Sequence, residues 1–194
     1  ALNPDIIILT ETSSIVDLGS EYYAVKSKEI LKCPNEQWVT IWTRWPIVRE
    51  LKTYDDTKAI CALIAAPFGN LIVYGTILPY HMAGVNGGKY PEQNCTPWEL
   101  HEKSIVGLGI DIKTYLAEYQ EIPICVAGDF NQTRDNCKGG YGLNRLRLLL
   151  SEILRGYHLD CLTEENFGET GKLKQNPRTG KTRRNIDHIL VSSK

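Results

Sequence analysis

Pro123-Ile124-Cys125-Val126-Ala127-Gly128-Asp129-Phe130-Asn131 is the stretch on which the reading of this chain turns. Its first half is a short apolar run of the kind that forms a buried strand. Its second half puts a carboxylate and an amide at that strand's C-terminal end. The same arrangement recurs on either side. Ile6-Ile7-Ile8-Leu9, a β-branched run expected to be buried on both faces of a sheet, is followed by Thr10-Glu11. Ile77-Leu78-Pro79-Tyr80 leads into His81. Asp187 differs, because it stands near the start of its strand, Ile186 to Val191. If that strand runs antiparallel to its neighbours, its start shares a sheet edge with their ends. Glu11, His81, Asp129, Asn131 and Asp187 would then meet at one edge.

Between these points the chain is rich in strands. Trp38 to Trp42 alternates, and Pro46 separates it from Ile47-Val48. Ile60 to Ala65 and Leu71 to Leu78 are joined by Pro67-Phe68-Gly69-Asn70, a hairpin turn. Two helices stand out. Thr96-Pro97-Trp98-Glu99 has the N-cap, first-turn proline and returning glutamate of a helix start. Trp98, His101, Ile105, Leu108, Ile112 and Tyr115 then fall on one face. The second helix is expected from Leu143 to Arg155, with Leu146, Leu149, Leu150 and Ile153 inward and Gly156 as its stop. Strands adjacent in sequence, with two helices among them, indicate layered α/β. No glycine fingerprint follows the first strand, so a dinucleotide-binding order does not fit.

The 194 residues are 42% hydrophobic and 23% charged, enough apolar content for one globular domain with a full core, which excludes disorder. A net charge of -1 gives no overall attraction to nucleic acid or anionic membrane, so any such contact must be local. Such a patch exists late in the chain, where Lys172, Lys174, Arg178, Lys181, Arg183 and Arg184 occur without an intervening acid. No apolar run approaches the roughly 20 residues of a membrane span. The six cysteines, at 33, 61, 95, 125, 137 and 161, show no zinc spacing. Cys61 and Cys125 read as core residues, and Cys33, Cys95 and Cys137 as loop residues open to a disulfide. A reducing, intracellular compartment is the preferred reading of that pattern.

The converging set is chemically coherent. Oxygen ligands such as Glu11 suit Mg²⁺ or Mn²⁺. Asn131 can bind a phosphoryl oxygen, Asp129 can take a proton from water, and His81 can donate to a developing charge. Metal-assisted hydrolysis of a phosphate ester follows. Each residue also has a plainer reading. Glu11 and His81 are compatible with solvated loops, and Asp129 with Asn131 is compatible with a turn bonding its own backbone. His101 belongs to the apolar helix stripe, His158 has no evident partner, and the tryptophans fill core and rim. The basic stretch is compatible with an ordinary solvated surface.

Together these segments resemble the endonuclease/exonuclease/phosphatase superfamily, the deoxyribonuclease-I-like metal-dependent phosphohydrolases. Pro4 to Glu11 is similar to the family's metal-binding "PD-apolar-LQE" segment, and Arg44-Trp45-Pro46-Ile47 to its "R/K-x-P-I" strand. Thr76 to His81 is similar to the strand ending in the catalytic His. Gly128-Asp129-Phe130-Asn131 matches "GDFN", and Arg184 to Ser192 looks like "R-x-IDYIL-V-S", with His188 replacing Tyr. The resemblance implies a two-layer β-sandwich flanked by helices in four layers. It implies Mg²⁺ (or Mn²⁺) on Glu11, catalysis by His81, Asp129, Asn131 and Asp187, and in-line attack of water on phosphorus. Asp187 would support His81 or the phosphate site, and Lys181, Arg183 and Arg184 would contact nucleic-acid phosphates.

Family members carry an earlier strand with an Asn and a final Ser-Asp-His, which positions 1–194 do not contain. The expectation is therefore a single domain truncated at both ends, weakly active or inactive in this form. A nucleic-acid phosphodiesterase is the leading reading. A phosphatase or diesterase acting on a phosphoinositide or sphingomyelin head group is the second, and an inactive scaffold of the same fold the third.

Overall fold

The computed structural model describes residues 3–30, 33–87, 94–134, 140–165, 170–171, 177–178, 180 and 184–193. The elements among them are β1 (Ile6–Ser13), β2 (Tyr23–Lys26), β3 (Glu29–Ile30), β4 (Cys33–Thr43), β5 (Ile47–Leu51), β6 (Ala59–Ala66), β7 (Gly69–Ile77), α1 (Glu99–Glu118), β8 (Ile124–Asp129), α2 (Asn144–Gly156), β9 (Leu159–Cys161) and β10 (Asp187–Ser192). They build two sheets. One has the order β1-β4-β2, with β3 also on β4; the other runs β5-β6-β7-β8-β10-β9. All pairs are antiparallel except β7 with β8, whose parallel register requires a crossover that α1 supplies.

Alternation along the central strands makes the layers. Cys61 and Leu63 of β6 and Ile72 and Tyr74 of β7 face a core shared with Ile105, Leu108 and Ile112 of α1 and Leu146 and Leu150 of α2. Their neighbours Ile60, Ala62, Ile64 and Val73 face Val25, Val39 and Ile41 of the other sheet. The order is therefore sheet, sheet, helices. Both described helices lie on the larger sheet. No described helix is long and apolar enough to cross a membrane.

Several expectations are met, and some shift. The β6–β7 hairpin forms, with Ala66 opposite Gly69 across a two-residue loop. β1 is half-buried at every position from Ile6 to Thr10, not buried on both faces, because among the described residues it pairs only with β4. α1 starts at Glu99 rather than at Thr96. Trp98 takes a left-handed φ of 71° while its N–H donates to His81 O at 2.8 Å, so Thr96 heads a turn ahead of the helix. Glu99 still reaches back, accepting from Thr96 N and Oγ1, each at 3.0 Å. α2 buries Leu146, Leu150 and Leu154, with Leu149 and Ile153 packed on the core beside them. Its left-handed end residue is His158, at φ 52°, not Gly156. Cys61, Cys95, Cys125 and Cys161 are free; Cys137 lies outside the described residues, as does the environment of the Cys33 side chain.

Candidate active site

β8 brings Asp129 to the sheet edge, and three neighbouring segments meet it there. β7 runs parallel, with Ile77 as the register partner of Asp129, so Leu78 to His81 emerges at the same edge. Leu78 N donates to Asp129 O at 2.8 Å. β10 runs antiparallel with Asp187 directly opposite Asp129, the case in which the sequence pattern brings the two to one edge. Cβ atoms so paired stand about 4.5–5.5 Å apart. Ile124 and Val126 face the helices, so Asp129 faces the other sheet, where β1 carries Glu11. Gly128 makes the close packing of β7 and β8 possible: a Cβ there would stand 1.8 Å from Thr76 O.

The electrostatics record the convergence. Burial pushes the Asp129 carboxyl up to about 7, and the charges of Asp187 and Glu11 push the same way against a hydrogen bond from Asn131 N. Partial burial also raises the more exposed Asp187. Glu11 holds a left-handed φ of 50° inside β1, and Asn131 one of 44°, conformations that cost an L-residue energy and cluster at working sites. Asn131 N donates to Asp129 Oδ1 at 2.7 Å. Its Nδ2 donates to Asp129 Oδ2 at 3.2 Å and to Leu78 O at 2.9 Å. The Asx turn and the site are thus one structure. Asn131 orients Asp129, with its amide donors engaged.

His81 is held by a residue absent from the sequence reading. Tyr141 Oη lies 3.4 Å from His81 Nδ1, and burial and the charge of Asp129 raise the Tyr141 hydroxyl. Thr133 N donates to Tyr141 O at 3.0 Å, fixing the loop that presents it. Trp98 packs on both rings, at centroid distances of 5.7 Å to His81 and 5.8 Å to Tyr141. The available signal was an aromatic between Gly140 and Gly142, ten residues after Asn131. Asp187 makes no hydrogen bond or ion pair with His81, so its place is against Asp129. His101 is buried and bonds Pro79 O through Nδ1 at 2.7 Å, a packing residue that also anchors the segment leading to His81. His188 is turned inward, as alternation from Asp187 requires, with Nε2 3.0 Å from Gln132 O. Arg184 lies three residues before Asp187, half-buried; Lys181 and Arg183 lie outside the described residues.

Among the described residues no three His, Cys, Asp or Glu side chains are close enough to form a metal cage by themselves. The donor set nevertheless fits Mg²⁺ or Mn²⁺, which take one or two carboxylates and complete their shell with water and phosphate oxygens. Burial is the main cause of the raised Asp129 carboxyl, and the nearby charges of Asp187 and Glu11 add to it.

Neither a scan against protein-family models nor a search of curated proteins finds a match. Solved structures do match. A 3'-5' exonuclease from Neisseria meningitidis superposes with a TM-score of 0.66 at 16% identity, over 97% of this chain and 77% of that one. Sphingomyelinase C from Streptomyces griseocarneus gives 0.57 at 14%, over 98% and 71%. The human nocturnin catalytic domain, with bound sulfate, gives 0.56 at 17%, over 97% and 69%. The two sheets with their helices are thus the deoxyribonuclease-I-like fold.

Proposed function

We propose that this chain is a metal-dependent phosphodiesterase whose substrate is nucleic acid. The observation that carries the reading is the meeting of Asp129, Asp187 and Glu11 at one edge, with Asp129 raised to about 7. Carboxylates arranged to repel one another cost stability and serve no packing purpose, which argues for a cation and against a bare scaffold. Glu11 and Asp187 would hold the Mg²⁺ or Mn²⁺, which when bound supplies positive charge to the phosphoryl oxygens. Asp129, oriented by Asn131, accepts the proton of the attacking water, a task suited to a base titrating near 7. Tyr141 keeps its proton and donates to His81 Nδ1, leaving His81 Nε2–H to donate to a phosphoryl oxygen.

The likeness of fold to a 3'-5' exonuclease supports this reading. The comparable likeness to a sphingomyelinase supports the head-group diesterase as the second. Single-turnover hydrolysis, with enzyme in excess over labelled oligonucleotide, tests the first. Cleavage with Mg²⁺ that is abolished by EDTA and by Asp129→Ala is expected. Cleavage of a phosphocholine diester but not of oligonucleotide would shift the assignment to the second.

A further inference from the structure

The loop that follows Asn131 holds a second, oppositely charged feature. Arg134 comes three residues after Asn131, and Arg147 lies in the first turn of α2. With Thr133, Asn144, Leu148 and Ser151 they line a small surface cavity. Arg134 Nη1 donates to Arg147 O at 3.2 Å and Nη2 to Ser151 Oγ at 2.9 Å. Among the described residues the Arg147 guanidinium has two long bonds, 3.5 Å to Thr133 Oγ1 and 3.4 Å to Asn144 Oδ1. The Nε of each guanidinium is buried without a partner. Neither arginine forms an ion pair with a described residue; Glu164 acts on Arg134 only from beyond contact. Gly140 packs against Arg147 and Thr133, because a Cβ there would stand 2.2 Å from Arg147 Nη1 and 2.3 Å from Thr133 Oγ1. Burial and the charge of Arg147 both disfavour the Arg134 cation. Two half-buried like charges beside one small cavity, without an ion pair among the described residues, favour an anion there.

We infer that Arg134 and Arg147 bind a second, non-reacting phosphate of the substrate. Thr133 is two residues from Asn131, at most about 7 Å along the chain, so this phosphate belongs within a nucleotide or two of the one being cut. A guanidinium fork matches phosphate oxygens in shape as well as charge. A strand carrying a phosphate at every nucleotide fills both places, whereas a one-phosphate head group fills only one. The inference rests on the nuclease reading and narrows its substrate to a polyanionic strand.

Two measurements test it. The first is calorimetric titration of metal-free protein with inorganic phosphate, on wild type, Arg134→Gln, Arg147→Gln and Arg147→Lys. The second compares KM for a short oligonucleotide with KM for bis(p-nitrophenyl) phosphate. We expect the Gln variants to lose about tenfold in phosphate affinity and to raise the oligonucleotide KM about tenfold, with the single-phosphate KM within about twofold. Arg147→Lys should lose less than Arg147→Gln, which separates charge from packing. No phosphate binding by wild type, or equal changes for both substrates, overturns the site. Phosphate binding lost without any change in oligonucleotide KM assigns the site to free phosphate and overturns the strand role. If wild type cuts no oligonucleotide, the nuclease reading falls by itself, and the titration still decides whether the arginines bind phosphate.

Discussion

Asp129 carries an energetic cost in the metal-free fold. Its carboxyl titrates near 7 in the fold and near 4 in an unfolded chain, so between those values the native state holds the extra proton. The metal-free protein is then most stable, as far as this group is concerned, below about pH 4, and loses that stability as pH rises toward 7. Asp129→Asn should therefore stabilise the metal-free chain by about 1–2 kcal/mol at pH 8, and by less at pH 5, while abolishing hydrolysis. Urea unfolding in EDTA at both pH values measures it. Tyr141 gives a second residue-scale expectation. Tyr141→Phe removes the hydroxyl beside His81 Nδ1 and should lower kcat about tenfold with KM and Tm little changed. Steady-state kinetics and the imidazole nitrogen chemical shift report the two halves of that statement.

At the scale of elements, the β7–β8 pair is the frame on which the site hangs. Gly128→Ala drives a methyl into the Thr76 carbonyl and should cost about 3 kcal/mol or more, seen as a large fall in the thermal midpoint. Strand ends were legible in the sequence because an apolar run that stops at a carboxylate states both where burial ends and what is presented there. The meeting of Asp187 with Asp129 followed from that pattern once the last strand was taken as antiparallel. Positions set by long-range pairing were not legible. β1 reads as fully buried from Ile6 to Leu9, yet its burial depends on how many neighbours pair with it. The α1 start moved because a hydrogen bond from Trp98 to His81, across a loop, overrode a good local cap. Tyr141 and the Arg134–Arg147 pair depend on the return of the loop after Asn131, which no periodicity encodes.

At the scale of the whole molecule, the two sheets bring carboxylates from different layers together at one edge. β1 brings Glu11 from one sheet to Asp129 and Asp187 on the other, while Arg134 of the loop after β8 and Arg147 of the first turn of α2 line a small cavity of opposite sign. A near-neutral chain thus presents strong local fields without a net charge to steer it. The same geometry means that a bound cation would tie the sheets together and stabilise the fold by mass action. The most direct test is Mn²⁺ binding to the metal-free protein, followed by electron paramagnetic resonance and by the thermal midpoint. One dominant site that raises the midpoint, weakened about tenfold or more by Glu11→Gln and by Asp187→Asn, is the predicted result. Mn²⁺ binding that neither substitution changes, or no binding at all, would contradict the account.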